Sequence, residues 1–211
     1  MSTMDFEELK KEQLKLAQKI VLRDDFTTVK TVGGAECVQH GDEIVACVVV
    51  CEYPSMNLKE KKVYTLHNPF PYRHWFEAYR ELPAIVEAFN MLDEEPDILI
   101  VKGNGILHPR KIGIASHVGL ILNKPTIGIS EKCLLGTVEN GKVLLDGNVV
   151  GFEIKTREHA LPLYVSPGNL ISLGSVLTIM PHTIQFPHKM PEPLHIARKV
   201  AKKKTKERGT Q

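Results

Sequence analysis

Residues 96–119 read PDILIVKGNGILHPRKIGIASHVG, and this stretch decides the class of fold. It opens with DILIV, residues 97–101, a short continuous apolar run that predicts a strand buried on both faces. Residues 110–122 predict a helix, and residues 125–130 predict a second buried strand. This order implies two parallel strands joined by a right-handed crossover. Lys102 then ends the first strand, at the place where α/β sheets gather their ligands.

The chain before this unit predicts a helix, a meander of three antiparallel strands and a second helix. The meander runs are rich in β-branched residues and are separated by turn-forming residues; they cover residues 27–38, 43–53 and 61–67. The helices are residues 5–21 and the aromatic segment 74–92. Pro83 lies inside the second helix and predicts a kink or a restart there.

The chain after the unit predicts a hairpin at residues 142–154, with Asp146-Gly147 as its turn. A strand follows at residues 162–169, with Ser166 as a helix N-cap and Pro167 in the first turn. A final helix begins near Pro191. The whole pattern predicts one α/β domain with a mixed sheet and helices on both faces.

Composition narrows the class of protein. A chain of 211 residues has the size of a single domain, and no apolar run reaches the roughly 20 residues that span a bilayer. The four cysteines lack metal-ligand spacing, so we expect a reduced, cytoplasmic compartment, and Cys47 and Cys51 are expected in the core. We further expect a monomer. The basic segment 199–211 is either a flexible, solvated tail or a contact for phosphates or acidic partners.

Six polar residues fall at strand ends or on the aromatic helix and are candidates for one catalytic cleft: Glu36, Glu81, Lys102, His108, Glu131 and Lys132. Two interpretations remain open. The first is a metal-assisted phosphodiesterase in which Glu36 and Glu81 hold Mg²⁺. The second is a structural ion pair between Glu36 and Lys102.

The segment GNGILHPR, residues 103–110, places two glycines, a histidine and an arginine before a predicted helix N-terminus. Such an arrangement favours phosphate contact, and the alternative is a tight turn with a surface arginine. Upstream, Tyr72 and Trp75 accompany arginines at a loop end, where aromatic rings can stack on unpaired bases.

At these residues the sequence resembles the endonuclease V family. VKGNGILHPRKIGIASHVGLILNKPTIGIS (101–130) is similar to the family's central block, and PYRHWFEAYRELPAIVEAF (71–89), VGGAECVQHGDEIVACVVVCEYPSM (32–56), PLYVSPGN (162–169) and PEPLHIA (191–197) are similar to its other blocks, in the same order. The resemblance implies a ribonuclease H-like fold. It also implies Mg²⁺- or Mn²⁺-dependent cleavage of DNA or RNA near a deaminated base, chiefly hypoxanthine or inosine.

The resemblance assigns roles residue by residue. Tyr72 matches the wedge tyrosine that parts the strand at the lesion, and Glu81 matches a catalytic carboxylate. Other positions match residues of the family's motifs and are expected to contact nucleic acid or support catalysis: Gly103, Gly105, His108, Arg110, His117, Ser166 and Gly168.

Three substitutions fall in the expected metal site. Glu36 and Lys102 stand where the family has metal-binding aspartates, and Glu131 stands where it has a lysine, with Lys132 adjacent. The first hypothesis is that Lys102 forms an ion network with Glu36, Glu81 and Glu131 and takes the place of the cation. The protein would then still bind nucleic acid, but cleavage would be impaired. The alternative is an active endonuclease that uses Glu36 and Glu81.

Overall fold

The computed structural model describes residues 5–208, and within them the strands form one mixed sheet. The elements in chain order are α1 (Phe6–Ala17), β1 (Thr31–His40), β2 (Glu43–Glu52), β3 (Leu58–His67), α2 (Glu77–Asn90), β4 (Ile98–Lys102), α3 (Ile114–Leu122), β5 (Thr126–Ser130), β6 (Thr137–Glu139), β7 (Lys142–Leu145), β8 (Asn148–Ile154), β9 (Leu163–Asn169), α4 (Leu173–Ile179) and α5 (Glu192–Arg208).

The sheet order across the described residues is β3-β2-β1-β4-β5-β9-β8-β7-β6. Strands β1 to β3 form the predicted antiparallel meander, and β1, β4 and β5 run parallel to one another. Strand β9 is antiparallel to β5, and the β7–β8 hairpin turns at Asp146-Gly147 as predicted. The fold class predicted from the sequence is therefore confirmed.

Helices cover both faces of the sheet because the central strands are apolar on both faces. On one face, α2 packs over Ile44, Ala46 and Val48 of β2, and α3 packs over β4, β5 and β9. On the other face, α5 covers the alternate residues of β2, among them Cys47 and Cys51, and α4 packs on β9 and β8. Both thiols are free and buried, as predicted.

Two local expectations were wrong, and of the kink or restart predicted at Pro83 only the restart is excluded. Ser166 and Pro167 do not begin a helix; they lie inside β9, and α4 begins after Ser172, whose side chain accepts the capping hydrogen bond from Ser175. The helix α3 begins at Ile114, not near Arg110, because residues 103–113 form a connection that turns under the sheet edge. Pro83 causes no restart, since α2 continues through it.

The basic segment begins inside α5, which continues to Arg208. Residues 209–211 of that predicted tail lie outside the described residues. Within residues 5–208, no helix combines the length and apolar character needed to cross a membrane.

Candidate functional site

A pocket of about 450 Å³ opens where β4 and β5 end. Ala35 of β1 pairs with Val101 of β4. The next residues, Glu36 and Lys102, therefore lie side by side on neighbouring parallel strands. The lining comprises predicted site residues and others: Glu36, Cys37, Tyr72, His74, Glu77, Glu81, Lys102, Gly103, Asn104, His108, Gly113, Ile114, Ile129, Ser130, Glu131, Lys132, Leu134 and Arg198. The six predicted catalytic residues therefore line one pocket, although Glu36 lies inside β1 and Glu81 inside α2, and their catalytic role stays a prediction.

Lys102 is held by an acidic partner on the neighbouring strand end. Its Nζ donates a hydrogen bond to Oε2 of Glu131 over 2.8 Å. Lys189 Nζ lies 3.5 Å from the other carboxylate oxygen of Glu131. The hydrogen bond from Lys102, with the charges of both lysines, lowers the pKa of Glu131 despite partial burial. The structure thus pairs Lys102 with Glu131, whereas the sequence-based ion-pair alternative placed it with Glu36.

Nearby positive charges compensate the two candidate metal-binding glutamates, Glu36 and Glu81, only weakly. Glu36 is only 5% exposed, and burial raises its pKa to about 7, although the positive charges of Lys102 and Arg198 oppose this shift. The nearest of these contacts joins Arg198 Nη1 to Glu36 Oε1 at 4.0 Å. Burial, together with the charges of Glu77 and Glu36, raises the pKa of Glu81 to about 8. Burial therefore favours the protonated form of both carboxyl groups.

These side chains do not fit the divalent cation that the sequence resemblance implies. An ammonium group has no lone pair to offer a cation. At ~4 Å and an effective dielectric near 20, two unit charges interact by about 4 kcal/mol, and a divalent ion doubles the repulsion from Lys102. Within residues 5–208, no three His, Cys, Asp or Glu side chains converge as a metal site. Glu36 and Glu81 would therefore offer a cation only two carboxylate ligands, next to the positive charge of Lys102.

The loop that carries Tyr72 is anchored through the Trp75 carbonyl. Trp75 has a left-handed backbone with φ of 67°, and its oxygen accepts hydrogen bonds from Gln13 Nε2, His108 Nε2 and Arg110 Nη2 at 3.0, 3.1 and 3.2 Å. The indole packs on His74 and His108, whereas Tyr72 is 64% exposed at the pocket rim. Trp75 thus holds the loop that carries Tyr72 in place through its carbonyl hydrogen bonds and its indole packing.

Gln13 is a site-supporting residue that the sequence did not reveal. It is 1% exposed, and its Oε1 accepts a hydrogen bond from Arg110 Nε while its amide reaches Trp75. No motif marks it, because its partners lie 62 and 97 residues away in the chain. Lys189 was missed for a related reason, since only the packed fold brings it to Glu131. Asn104 lines the pocket from between the two glycines of the 103–110 segment, where it was not singled out.

Burial keeps the two predicted histidines neutral. It lowers the pKa of His108 to about 3 and that of His117 to about 4. His108 lines the pocket, and its Nδ1 accepts from the backbone N–H of Arg110, which leaves Nε2 to donate to Trp75. His117 is 3% exposed and packs edge-on against Tyr79, with neither ring nitrogen hydrogen-bonded within the described chain.

Four predicted nucleic-acid contacts lie below or beside the pocket. Ser166 Oγ accepts from the backbone N–H of Gly105, and a side chain at Gly105 would meet the Pro167 carbonyl at 2.1 Å. Gly168 leaves room for Thr126, and Arg110 lies over the Phe76 ring. These contacts give all four residues a packing function, and their contact with nucleic acid stays a prediction.

A family model described as endonuclease V matches residues 14–199. The chain belongs to the endonuclease V family. Endonuclease V of Dictyoglomus thermophilum is 33% identical over 208 residues, which cover 95% of this chain and 91% of that protein. The crystal structure of the Bacillus subtilis endonuclease V is 28% identical with a TM-score of 0.88, and the match covers 100% of this chain and 96% of that one.

A second similar structure is that of Ciona intestinalis endonuclease V, solved with a 24-residue DNA that contains inosine followed by a ribo-adenosine. It is 25% identical to this chain with a TM-score of 0.88, and the match covers 96% of this chain and 98% of that one. Family membership and fold therefore agree with the resemblance found in the sequence.

Proposed function

We propose that this protein binds DNA or RNA at a deaminated base, inosine or hypoxanthine, and that the usual metal-dependent cleavage is impaired. The observation that carries the proposal is the position of Lys102, inside the pocket and hydrogen-bonded to Glu131. Membership of a family in which a relative was crystallised on inosine-containing DNA supports the choice of ligand.

The shape of the pocket supports recognition of a base taken out of its stack. Its volume of about 450 Å³ lies in the range of small-molecule sites. Tyr72 stands exposed at the rim beside His74, on the loop fixed through Trp75. An aromatic ring held in this way can replace the stacking that the base loses when it leaves the strand.

The charges of the pocket support impaired cleavage. Lys102 and Arg198 supply positive charge beside Glu36, so binding of a divalent ion there must overcome both. Glu131 is paired with Lys102 and Lys189, so its carboxylate is not free to bind a cation.

An active endonuclease is the alternative, in which Glu36 and Glu81 retain one displaced cation. The raised pKa values of both carboxyls favour it, because two buried acids that resist ionisation are stabilised by added positive charge. This alternative does not require the hydrogen bond between Lys102 and Glu131 to break.

The test is binding and cleavage of matched oligonucleotides that carry inosine or adenosine, made as DNA and as RNA, with Mg²⁺ or Mn²⁺. We expect preferential binding of inosine and no cleavage. We expect Tyr72→Ala to weaken inosine binding by about 1–3 kcal/mol, the contribution of one stacked base, and Tyr72→Phe to retain it. Cleavage by the wild type that Glu81→Ala abolishes would establish the active endonuclease instead.

A further inference from the structure

A second pocket, of about 420 Å³, lies beside the first along the same edge of the sheet. Strand register fixes this relation. Lys102 is level with Ile129, Ser130 with Tyr164, and Leu163 with Ile154 at the end of β8. The ends of β4 and β8 are three strand spacings apart, about 14 Å.

The loop that separates the two pockets belongs to both. Lys189 contacts Glu131 of the first pocket, and the preceding residue, His188, lines the second. Arg157 Nη1 donates to the Pro187 carbonyl over 3.1 Å and ties this loop to the segment after β8. The two pockets share no lining residue, but His188 and Lys189 of one loop connect them.

The second pocket carries an aromatic ring that the fold leaves in solvent. Phe186 is 93% exposed, the most exposed of the large apolar side chains in the described chain. Lys155 and Arg157 line the same pocket and are exposed. Glu158, also exposed, is the acidic residue next to them and offsets part of their charge. Thr156, between the two basic residues, has a buried hydroxyl without a hydrogen-bond partner among residues 5–208.

We propose that this second pocket binds the strand next to the deaminated base, with Phe186 as the stacking residue for a neighbouring base. The inference rests on the proposed function, because the first pocket must hold the deaminated base. An exposed ring beside cationic side chains matches a single nucleic-acid strand, which offers base faces for stacking and phosphates for the lysine and arginine.

The experiment measures affinity by fluorescence anisotropy for labelled single-stranded oligonucleotides with one inosine or one adenosine. One short form ends at the test base, and two longer forms extend it by several nucleotides on the 5′ side or on the 3′ side. DNA and RNA versions of each are compared, so that either source of the strand is identified.

We expect one direction of extension to increase the affinity of the wild type. Phe186→Ala should remove about fivefold or more of that increase, the lower bound for one stacked base, and should not change binding of the short form. Phe186→Trp should retain the increase. Ile121→Ala, which removes an exposed apolar side chain from the far end of α3, is the control and should behave as wild type.

The charged residues give a second readout. Lys155→Ala should make the salt dependence of binding less steep by about 0.7 in log K against log salt, the value for one phosphate of a single strand. The same change should leave binding of the short form unaltered.

The two proposals fail in different ways. Equal affinity for inosine and adenosine overturns the proposed function. In that case the loss of affinity in Phe186→Ala can still be measured with the extended forms of either oligonucleotide. The inference about the second pocket is overturned if neither extended form binds more tightly than the short one, or if the Phe186→Ala variant keeps the whole increase.

Discussion

Lys102 is the residue on which the chemistry of this site depends. Its place at the end of β4 followed from the sequence, because a short apolar run and two glycines fix where that strand stops. The sequence left its partner open between Glu36 and Glu131, because both flank it in the sheet. The structure pairs it with Glu131, and the side chains are 23% and 43% exposed, so solvent screens the pair. The pair therefore sets the charge of the pocket more than the stability of the fold.

Glu36 and Glu81 make stability depend on pH. Their pKa values of about 7 and about 8 lie above the ordinary 4.5. Between pH 4.5 and these raised values, the folded state therefore binds more protons than the unfolded state. The free energy of unfolding should therefore fall as pH rises from about 4.5 to about 8. Glu81→Gln removes one of these groups. We expect it to raise stability at pH 9 by the order of 2 kcal/mol, a few degrees in Tm, with little effect at pH 4.

Thermal unfolding followed by circular dichroism from pH 4 to pH 9 measures this. Glu87→Gln, on the exposed side of α2, is the matched control and should change stability by no more than about 0.5 kcal/mol throughout. A Glu81→Gln variant with the same pH slope as wild type would contradict the account of the two carboxyls.

At the scale of elements, α1 shows what periodicity reveals and what it leaves out. The spacing of apolar residues predicted this helix, but its one buried residue is Gln13, which an apolar pattern cannot indicate. The wrong N-cap at Ser166 has a similar cause. Serine followed by proline is a helix-start signal, yet pairing of β9 with β5 outweighs that local preference.

Gln13→Ala tests whether α1 fixes the loop that carries Tyr72. The change leaves Arg110 Nε without its acceptor and Trp75 with one donor fewer. We expect the free energy of unfolding to fall by about 1–3 kcal/mol, the cost of unpaired buried polar groups. We also expect weaker binding of inosine oligonucleotides, because the loop loses a fixed position.

Chemical denaturation and the binding assay measure the two effects together. Gln18→Ala, an exposed residue directly after α1, is the control and should change neither by more than about 0.5 kcal/mol. Unchanged stability and binding in Gln13→Ala would show that α1 does not support the loop.

For the whole molecule, the arrangement of the sheet could be predicted further than the site could. The meander and the parallel unit each follow from local runs of residues. Because β4 and β5 are parallel and end at one edge, the proximity of Lys102 and Glu131 followed too, whereas Glu36 lies beside Lys102 within β1. Arg198 and Lys189 were not assigned to the site charge because they reach it only when α5 and its preceding loop pack on the sheet. The molecule thus combines the family's fold with a different charge distribution in the pocket.

Titration calorimetry with Mn²⁺ tests most directly whether Lys102 stands in for a metal ion. The comparison variant is Lys102→Asp with Glu131→Lys, which exchanges the two charges and keeps both the net charge and an acid–base pair. We predict no saturable binding to the wild type at concentrations where the exchanged variant binds, a difference in affinity of at least tenfold, about 1.4 kcal/mol. Binding of Mn²⁺ to the wild type as tightly as to the exchanged variant, and its loss in Glu36→Gln with Glu81→Gln, would contradict the account.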